Sequence, residues 1–216
     1  MSSTSPQHTT LRTLSAYLIS FDSAPISDPL ALTRTIIESA RIAGTRVLLA
    51  PLSPIPAFPF SSIPPHAFLL PPGIPAAALL PYTCAALHTG EARLTAAVLC
   101  AGKTSIVVPC VGDQAFWAWT LHRAGVAARP IEKGLLYEGG KARDTSKGVL
   151  VLKEAIEVAL SQQVIENATM IGDKIGREVS LLLSLVNRIA LIPPPLRLCR
   201  MGMRLGFIRS TSIYPC

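Results

Sequence analysis

Long apolar runs are missing from this 216-residue sequence, and no secretory signal is predicted at its start. The most apolar stretch, residues 179–192, contains Asn187 and Arg188 and is too short to span a bilayer. Residues 1–10 are rich in Ser and Thr and lack the apolar core of a secretory signal. We therefore expect a cytoplasmic protein, and contact with a membrane surface stays open as an alternative.

Cysteines at metal-binding spacing are also missing. The five cysteines show no C-x-x-C spacing and no histidine at a distance along the chain that is typical of zinc sites. We therefore predict no metal site. Reduced and mostly buried thiols are expected at Cys84, Cys100, Cys110, Cys199 and Cys216.

Acidic residues are few, with 13 Asp and Glu against 20 Lys and Arg, which gives a formal net charge of +7. The basic residues are scattered and are not interleaved with aromatic residues, so nucleic acid is not the predicted partner. A phosphate-bearing small ligand or an anionic membrane surface suits this charge equally well.

Short apolar runs alternate with helical periodicities along the first two thirds of the chain. Strands are predicted at residues 16–20, 46–50, 67–70, 85–87 and 105–109, and helices at 29–43, 94–101, 116–124 and 148–161. The proline-crowded stretch 51–81 is otherwise predicted as loop. Repeated strand, helix, strand order predicts an α/β fold with a parallel Rossmann-like sheet flanked by helices.

Three regions follow from this pattern. Residues 1–14 are predicted as a disordered N-terminal segment, and residues 15–178 as one Rossmann-like domain, for which the 50% hydrophobic content supplies a core. Residues 179–216 mix apolar and basic side chains around a triple proline at 193–195. We expect them to form a poorly ordered tail.

Small and polar residues cluster where the predicted strands end. Gly90 and Ala92 lie between a strand and a helix, where small residues let backbone N–H groups and the helix dipole face a diphosphate. Asp113 and Gln114 follow the next strand, and a carboxylate beside an amide is suited to sugar hydroxyls. The two segments predict a site for a phosphorylated sugar compound.

The run from Cys84 to Pro130 resembles the donor-binding pattern of sterol and related lipid or natural-product glycosyltransferases, which have the GT-B fold. Upstream, Ser20 to Ser23 and the helix start at Asp28 are similar to two further motifs of that family. The resemblance covers about residues 16 to 175. The matching positions in the run are His88, Gly90, Ala92, Thr95, Ala96, Ala97, Ala101, Gly102, Lys103, Pro109, Gly112, Asp113, Gln114, Phe116, Trp117, Gly125 and Pro130.

The resemblance implies a C-terminal donor-binding domain that takes UDP-glucose or a similar UDP-sugar and needs no other cofactor. It implies hexosyl transfer to a sterol or to a related lipid or small-molecule hydroxyl, and a partner domain that binds the acceptor. No catalytic residue is assigned. The donor would be held by seven residues, namely His88, Thr89, Gly90, Ala92, Asp113, Gln114 and Ser23.

The chain departs from the family pattern in the turn itself. Thr89 replaces a second histidine, and Glu91 and Arg93 replace glycines. The Glu91 carboxylate would repel a diphosphate, and side chains here obstruct the close approach that glycine permits. Two hypotheses stay open, namely a transferase domain that is incomplete or inactive as an isolated chain, and a non-catalytic relative with weak or no nucleotide binding.

Ordinary structural roles stand beside these functional ones. His88 is either a hydrogen-bonded core histidine or a ligand residue. Asp113 and Gln114 form either a polar loop or a sugar site. Trp117 and Trp119 are predicted to pack in the core.

Overall fold

The computed structural model of the chain describes residues 16–21, 26–49, 63–71, 73–137 and 145–190. In these ranges five strands form one parallel sheet, β1 (Ala16–Ser20), β2 (Arg46–Leu49), β3 (Ala67–Leu69), β4 (Ala85–His88) and β5 (Thr104–Val107). The strand order is β3-β2-β1-β4-β5. The first four strands begin and end within one residue of their predicted bounds. The last strand, β5, begins one residue earlier than predicted and ends two residues earlier.

Helices cover both faces of this sheet, so the predicted α/β fold is confirmed. Successive strand residues point to opposite faces. Tyr17 and Ile19 of β1 belong to one buried cluster, whereas Leu18 belongs to another. The helices are α1 (Pro29–Ile42), α2 (Ala76–Leu79), α3 (Ala92–Cys100), α4 (Gln114–Arg123), α5 (Lys133–Leu136), α6 (Thr145–Ala159) and α7 (Gln162–Ala190).

The ends of α1 follow from its sequence. The Asp28 carboxylate accepts a hydrogen bond from the Ala31 N–H at 2.9 Å, and Pro29 occupies the first turn, where its missing N–H costs nothing. Gly44, with φ +66°, ends the helix in the left-handed conformation. Leu32 and Ile36 are fully buried against the sheet.

The proline-rich stretch contains more helix than expected. β3 is confirmed, but α2 and a 3₁₀ turn at Leu80–Tyr82 were predicted as loop. Both are one turn long, which is too short for an apolar periodicity to reveal. Pro75 precedes α2, and its restricted φ suits a helix start. Residues 51–62 and 72 lie outside the described residues.

Helix α7 was not predicted from the sequence. Its first turns pack on the sheet domain, where Ala168 and Ile171 contact a cluster around Val107 and Leu121. The predicted tail begins at residue 179, inside this helix, and its remainder, residues 191–216, lies outside the described residues together with 1–14. The chain divides into two compact units, Met1–Ile175 and Gly176–Cys216. The predicted domain boundary at 178 stays a prediction.

The expectations about membrane spans and about the cysteines can be compared with the described part of the chain. None of its helices has the length and apolar character needed to cross a membrane. Among its cysteines, Cys84 and Cys110 are half-buried and Cys100 is exposed, so the expectation of burial is wrong for Cys100. Cys199 and Cys216 lie outside the described residues.

Candidate functional site

The site lies where the strand order reverses. β1 is paired with β2 on one side and with β4 on the other, so the chain leaves β1 and β4 in opposite directions. In open α/β sheets this reversal opens a crevice at the carboxyl ends of the strands. Ser20, His88 and Val107 are register partners across β1, β4 and β5. The segments that follow these three strands therefore emerge side by side.

His88 lies under the turn that follows β4, and no part of it reaches solvent. Its Nδ1 accepts a hydrogen bond from the Gly90 N–H at 3.1 Å, so the ring proton resides on Nε2, which lies 3.2 Å from Ser105 Oγ. Burial lowers the pKa of His88 to about 4, so the imidazole is neutral near neutral pH. Both ring nitrogens are occupied, which makes His88 a support for the turn; its predicted contact with the donor stays a prediction.

Gly90 permits this turn for two reasons. Its φ of +91° lies in the region that L side chains rarely adopt. A Cβ on Gly90 would also lie 2.9 Å from Val107 Cγ1 and 3.0 Å from the Gln114 carbonyl oxygen. The turn after β4 is thus packed directly on the start of α4. Thr89 beside it is buried.

The first turn of α3 faces solvent without a cap. Glu91 occupies the N-cap position, and its side chain makes no capping hydrogen bond. The leading N–H groups of the helix, beginning at Ala92, therefore keep their donor capacity and the positive end of the helix dipole. Ala92, Glu91 and Arg93 are all exposed. This helix start offers the turn's remaining anion-binding capacity, because the Gly90 N–H is used by His88.

Gln114 organises the segment that follows β5. Its side-chain oxygen accepts hydrogen bonds from the Cys110 N–H at 2.8 Å and the Val111 N–H at 3.0 Å. Among the described residues its amide nitrogen has no partner. Asp113 is exposed, and one carboxylate oxygen accepts a hydrogen bond from Trp117 Nε1 at 3.0 Å. The corner thus has one carboxylate oxygen of the exposed Asp113 and the amide nitrogen of the largely buried Gln114 without a partner among the described residues.

A cleft of about 420 Å³ adjoins the start of α3. Pro75, Ala76 and Ala77 line one side of it, and Glu91, Arg93, Leu94 and Ala97 line the other. Pockets for small ligands have this size. No sequence pattern predicted a role for the first group, because these residues lie in the stretch predicted as loop.

The structure brings together most of the predicted site residues. Gly90 contacts Gln114, and the turn and the 110–114 corner share one edge of the sheet. Ser23 lies outside the described residues. Trp119 is 42% exposed and Trp117 half-buried, so the expectation that both pack in the core is wrong. Among the described residues no three side chains of His, Cys, Asp or Glu are grouped to hold a metal ion.

Proteins of similar sequence are named as glycosyltransferases. The sterol 3-beta-glucosyltransferase of Neosartorya fischeri is 37% identical over 114 residues, which are 50% of this chain and 8% of that protein. The terpene cyclase-glycosyl transferase fusion protein of Humicola fuscoatra is 27% identical over 168 residues, which are 74% of this chain and 12% of that protein. No family model matches the chain.

Solved structures share the fold. The glycosyltransferase of kitacinnamycin superposes with a TM-score of 0.63 at 18% identity, over 86% of this chain and 46% of that one. A Phytolacca americana protein solved with UDP-2-fluoro-glucose and pterostilbene gives 0.57 at 19% identity, over 74% of this chain and 36% of that one. The chain is related to the C-terminal domain of GT-B UDP-glycosyltransferases.

The predicted resemblance to such a UDP-glycosyltransferase domain is therefore confirmed. The chain matches only 8% of the sterol enzyme's length and less than half of each superposed glycosyltransferase structure. Its parallel sheet with flanking helices is the fold of the C-terminal half of a GT-B glycosyltransferase. By comparison with these glycosyltransferases, the turn at 88–91 and the corner at 110–114 are the candidate donor site.

Proposed function

We propose that the chain is a donor-binding domain for hexosyl transfer from UDP-glucose, or a similar UDP-sugar, to the hydroxyl of a sterol or a related lipid or small molecule. The observation that carries this proposal is the position of the 88–91 turn and the 110–114 corner, side by side at the reversal of strand order. Relatives named as sterol glucosyltransferases support the choice of sugar and acceptor.

The two halves of the site are suited to different parts of the donor. A diphosphate would approach the uncapped first turn of α3 at Ala92, with the Arg93 guanidinium as a nearby positive charge. The free carboxylate oxygen of Asp113 and the amide nitrogen of Gln114 would bind sugar hydroxyls. Since Gly90 packs on the Gln114 backbone, the two halves are held in fixed relation.

The transfer step needs more than this donor site. An acceptor hydroxyl attacks the anomeric carbon, the bond from that carbon to UDP breaks, and a base takes the hydroxyl proton. His88 is unsuited to that role because it is buried and both ring nitrogens are hydrogen-bonded. We therefore propose that an acceptor-binding domain supplies the base. The UDP-sugar is a substrate, and we propose no further cofactor and a cytoplasmic location at the membrane periphery.

One observation favours a second candidate, a non-catalytic relative with weak or no nucleotide binding. The Gly90 N–H, which lies in the turn, already donates to His88 Nδ1. The residue at the N-cap position of α3 is Glu91, which carries a carboxylate. A negative charge at this position opposes a diphosphate. Both candidates share the fold and differ in affinity.

Calorimetry on the purified chain with UDP and with UDP-glucose tests the proposal. We expect both to bind, UDP-glucose more tightly, and the preference for UDP-glucose to disappear in Asp113→Ala. Glu91→Gln should tighten the binding of both by at least about fivefold, because a carboxylate near a diphosphate costs about 1 kcal/mol even in water.

Glu154→Ala is the matched control, since it removes an exposed carboxylate from α6 and should change neither affinity. Absence of binding by a folded wild-type chain, together with absence of binding by Glu91→Gln, would select the non-catalytic relative.

A further inference from the structure

Helix α4 presents an aromatic face to solvent. Its buried side is formed by Gln114, Ala118 and Leu121. At about 100° per residue, Phe116, Trp119 and Arg123 fall on the opposite side. Phe116 is 64% exposed and Trp119 42%, and Val111 in the preceding segment is also exposed. We call Val111, Phe116, Trp119, Arg123 and Arg129 the α4 face.

The composition of this face is unusual for an exposed helix side. Such sides are ordinarily polar, and neighbouring exposed apolar groups tend to mark a surface that binds something. Phe116 lies against Trp117 with ring centroids 5.3 Å apart, so the apolar surface is continuous with the half-buried ring behind it. The face is not accounted for by the donor site, although Val111 and Phe116 lie on either side of Gln114 in the sequence.

Two guanidinium groups flank the aromatic rings. The Arg129 guanidinium carbon lies 5.9 Å from the centre of the Trp119 ring, which is cation–π distance. Arg123 is exposed at the end of the helix. Neither forms an ion pair with any of the described residues. The face therefore combines apolar rings with uncompensated positive charge, in a chain of net charge +7.

We propose that the α4 face binds the surface of an anionic lipid bilayer. Trp and Phe favour the zone between headgroups and acyl chains, and arginines beside them are attracted to anionic headgroups. The inference rests on the proposed function in one respect, because a membrane-borne acceptor gives the contact its purpose. Docking through this face would bring the 110–114 corner close to the bilayer surface.

Sedimentation of the purified full chain with vesicles tests this, with no nucleotide present. We expect binding to phosphatidylcholine vesicles that contain phosphatidylserine and little binding to phosphatidylcholine alone. Phe116→Ser should lower the affinity at least about tenfold, since a buried aromatic ring is lost. Arg123→Gln and Arg129→Gln should each lower it about fivefold.

Matched controls lie elsewhere on the surface. Tyr82→Ser removes a ring that is 75% exposed, and Arg34→Gln removes an exposed guanidinium from α1; both should bind like the wild type. A second measurement needs no truncation of the face. The chain has two tryptophans, so Trp117→Phe leaves Trp119 as the reporter, and its emission should shift to the blue with anionic vesicles only.

Several outcomes would overturn the proposal. These are absence of vesicle binding by the wild type, equal binding by Phe116→Ser, and an unchanged Trp119 emission. Binding of a single-stranded oligonucleotide or formation of a dimer, if lost in Phe116→Ser while vesicles do not bind, would assign the face to that partner instead. Because no UDP-sugar is present, failure here leaves the calorimetric test of the donor site intact.

Discussion

Individual residues at the carboxyl edge of the sheet are fixed by one another rather than by local propensity. His88 Nδ1 accepts from the Gly90 N–H, Gly90 packs on the Gln114 backbone, and Gln114 accepts from the Cys110 N–H. The contact between Gly90 and Gln114 joins the turn after β4 to the segment after β5, and the other two contacts hold each of these segments in shape. We therefore expect a change at Gly90 or Gln114 to affect both halves of the candidate donor site.

Alanine substitutions at two glycines distinguish the cost of backbone strain from the cost of steric crowding. Gly90 and Gly73 have nearly equal φ angles of +91° and +89°, but a Cβ on Gly73 would meet nothing within 4 Å. We expect Gly73→Ala to cost about 1 to 2 kcal/mol of unfolding free energy through backbone strain alone. Gly90→Ala should cost roughly 1 to 3 kcal/mol more, because Val107 and Gln114 must move. Urea unfolding of both variants measures the difference, and equal costs would contradict the packing described here.

The buried imidazole makes stability depend on pH. His88 has a pKa of about 4 in the folded chain and about 6.5 when unfolded, so the unfolded state binds the proton more readily. Its stabilising contribution is fully present above about pH 6.5 and is lost as the pH falls towards about 4, by roughly 3 kcal/mol in total.

Unfolding free energies of the wild type and of His88→Asn, measured across this pH range, test the assignment. An asparagine oxygen still accepts the Gly90 N–H but does not titrate, so the variant should be less stable above about pH 6.5 and should lose less stability on acidification. Parallel curves for the two proteins would show that another group is responsible.

At the scale of elements, α7 depends on glycines for its docking. A Cβ on Gly172 would lie 2.6 Å from the Gly102 Cα and 3.0 Å from the Leu99 carbonyl oxygen, so the helix approaches the end of α3 at backbone distance. A Cβ on Gly176, one turn further along, would meet nothing within 4 Å.

The same substitution should therefore have opposite effects at these two positions. Gly172→Ala should destabilise the chain by roughly 1 to 3 kcal/mol, because the helix must shift away from Gly102. Gly176→Ala should stabilise α7 by about 0.5 to 1 kcal/mol through lower backbone entropy in the unfolded state. Thermal unfolding followed by circular dichroism distinguishes the two, and a stabilising Gly172→Ala would show that α7 docks differently.

At the scale of the whole molecule, the candidate donor site lies in a chain that spans only a small part of its sequence relatives. Its matched segment is 8% of the length of the sterol enzyme of Neosartorya fischeri. We expect UDP-glucose binding without transfer of glucose to a sterol by the purified chain, because His88, the imidazole at this edge, has no free nitrogen to act as base. Mass spectrometry of the lipid products measures this, and a glucosylated sterol formed by the chain alone would contradict it.

The sequence by itself determined the sheet and the place of the site. Asp28, Pro29 and Gly44 bound α1 through capping and backbone rules that act over a few residues, and apolar runs locate the strands. The motif residues around Gly90 and Gln114 also lie where strand ends place them. Such signals depend only on neighbouring residues, so they can be recognised without knowledge of the tertiary structure.

Tertiary structure alone decided what these residues do. Whether His88 faces a ligand or the turn depends on Ser105, 17 positions away, and on the Gly90 N–H. Tryptophan is typical of a core, yet Trp119 is exposed because Gln114, Ala118 and Leu121 take the inward side of α4. Helix α7 packs through glycine contacts with residues some 70 positions earlier. Contacts between distant segments set burial and hydrogen bonding, and no local pattern encodes them.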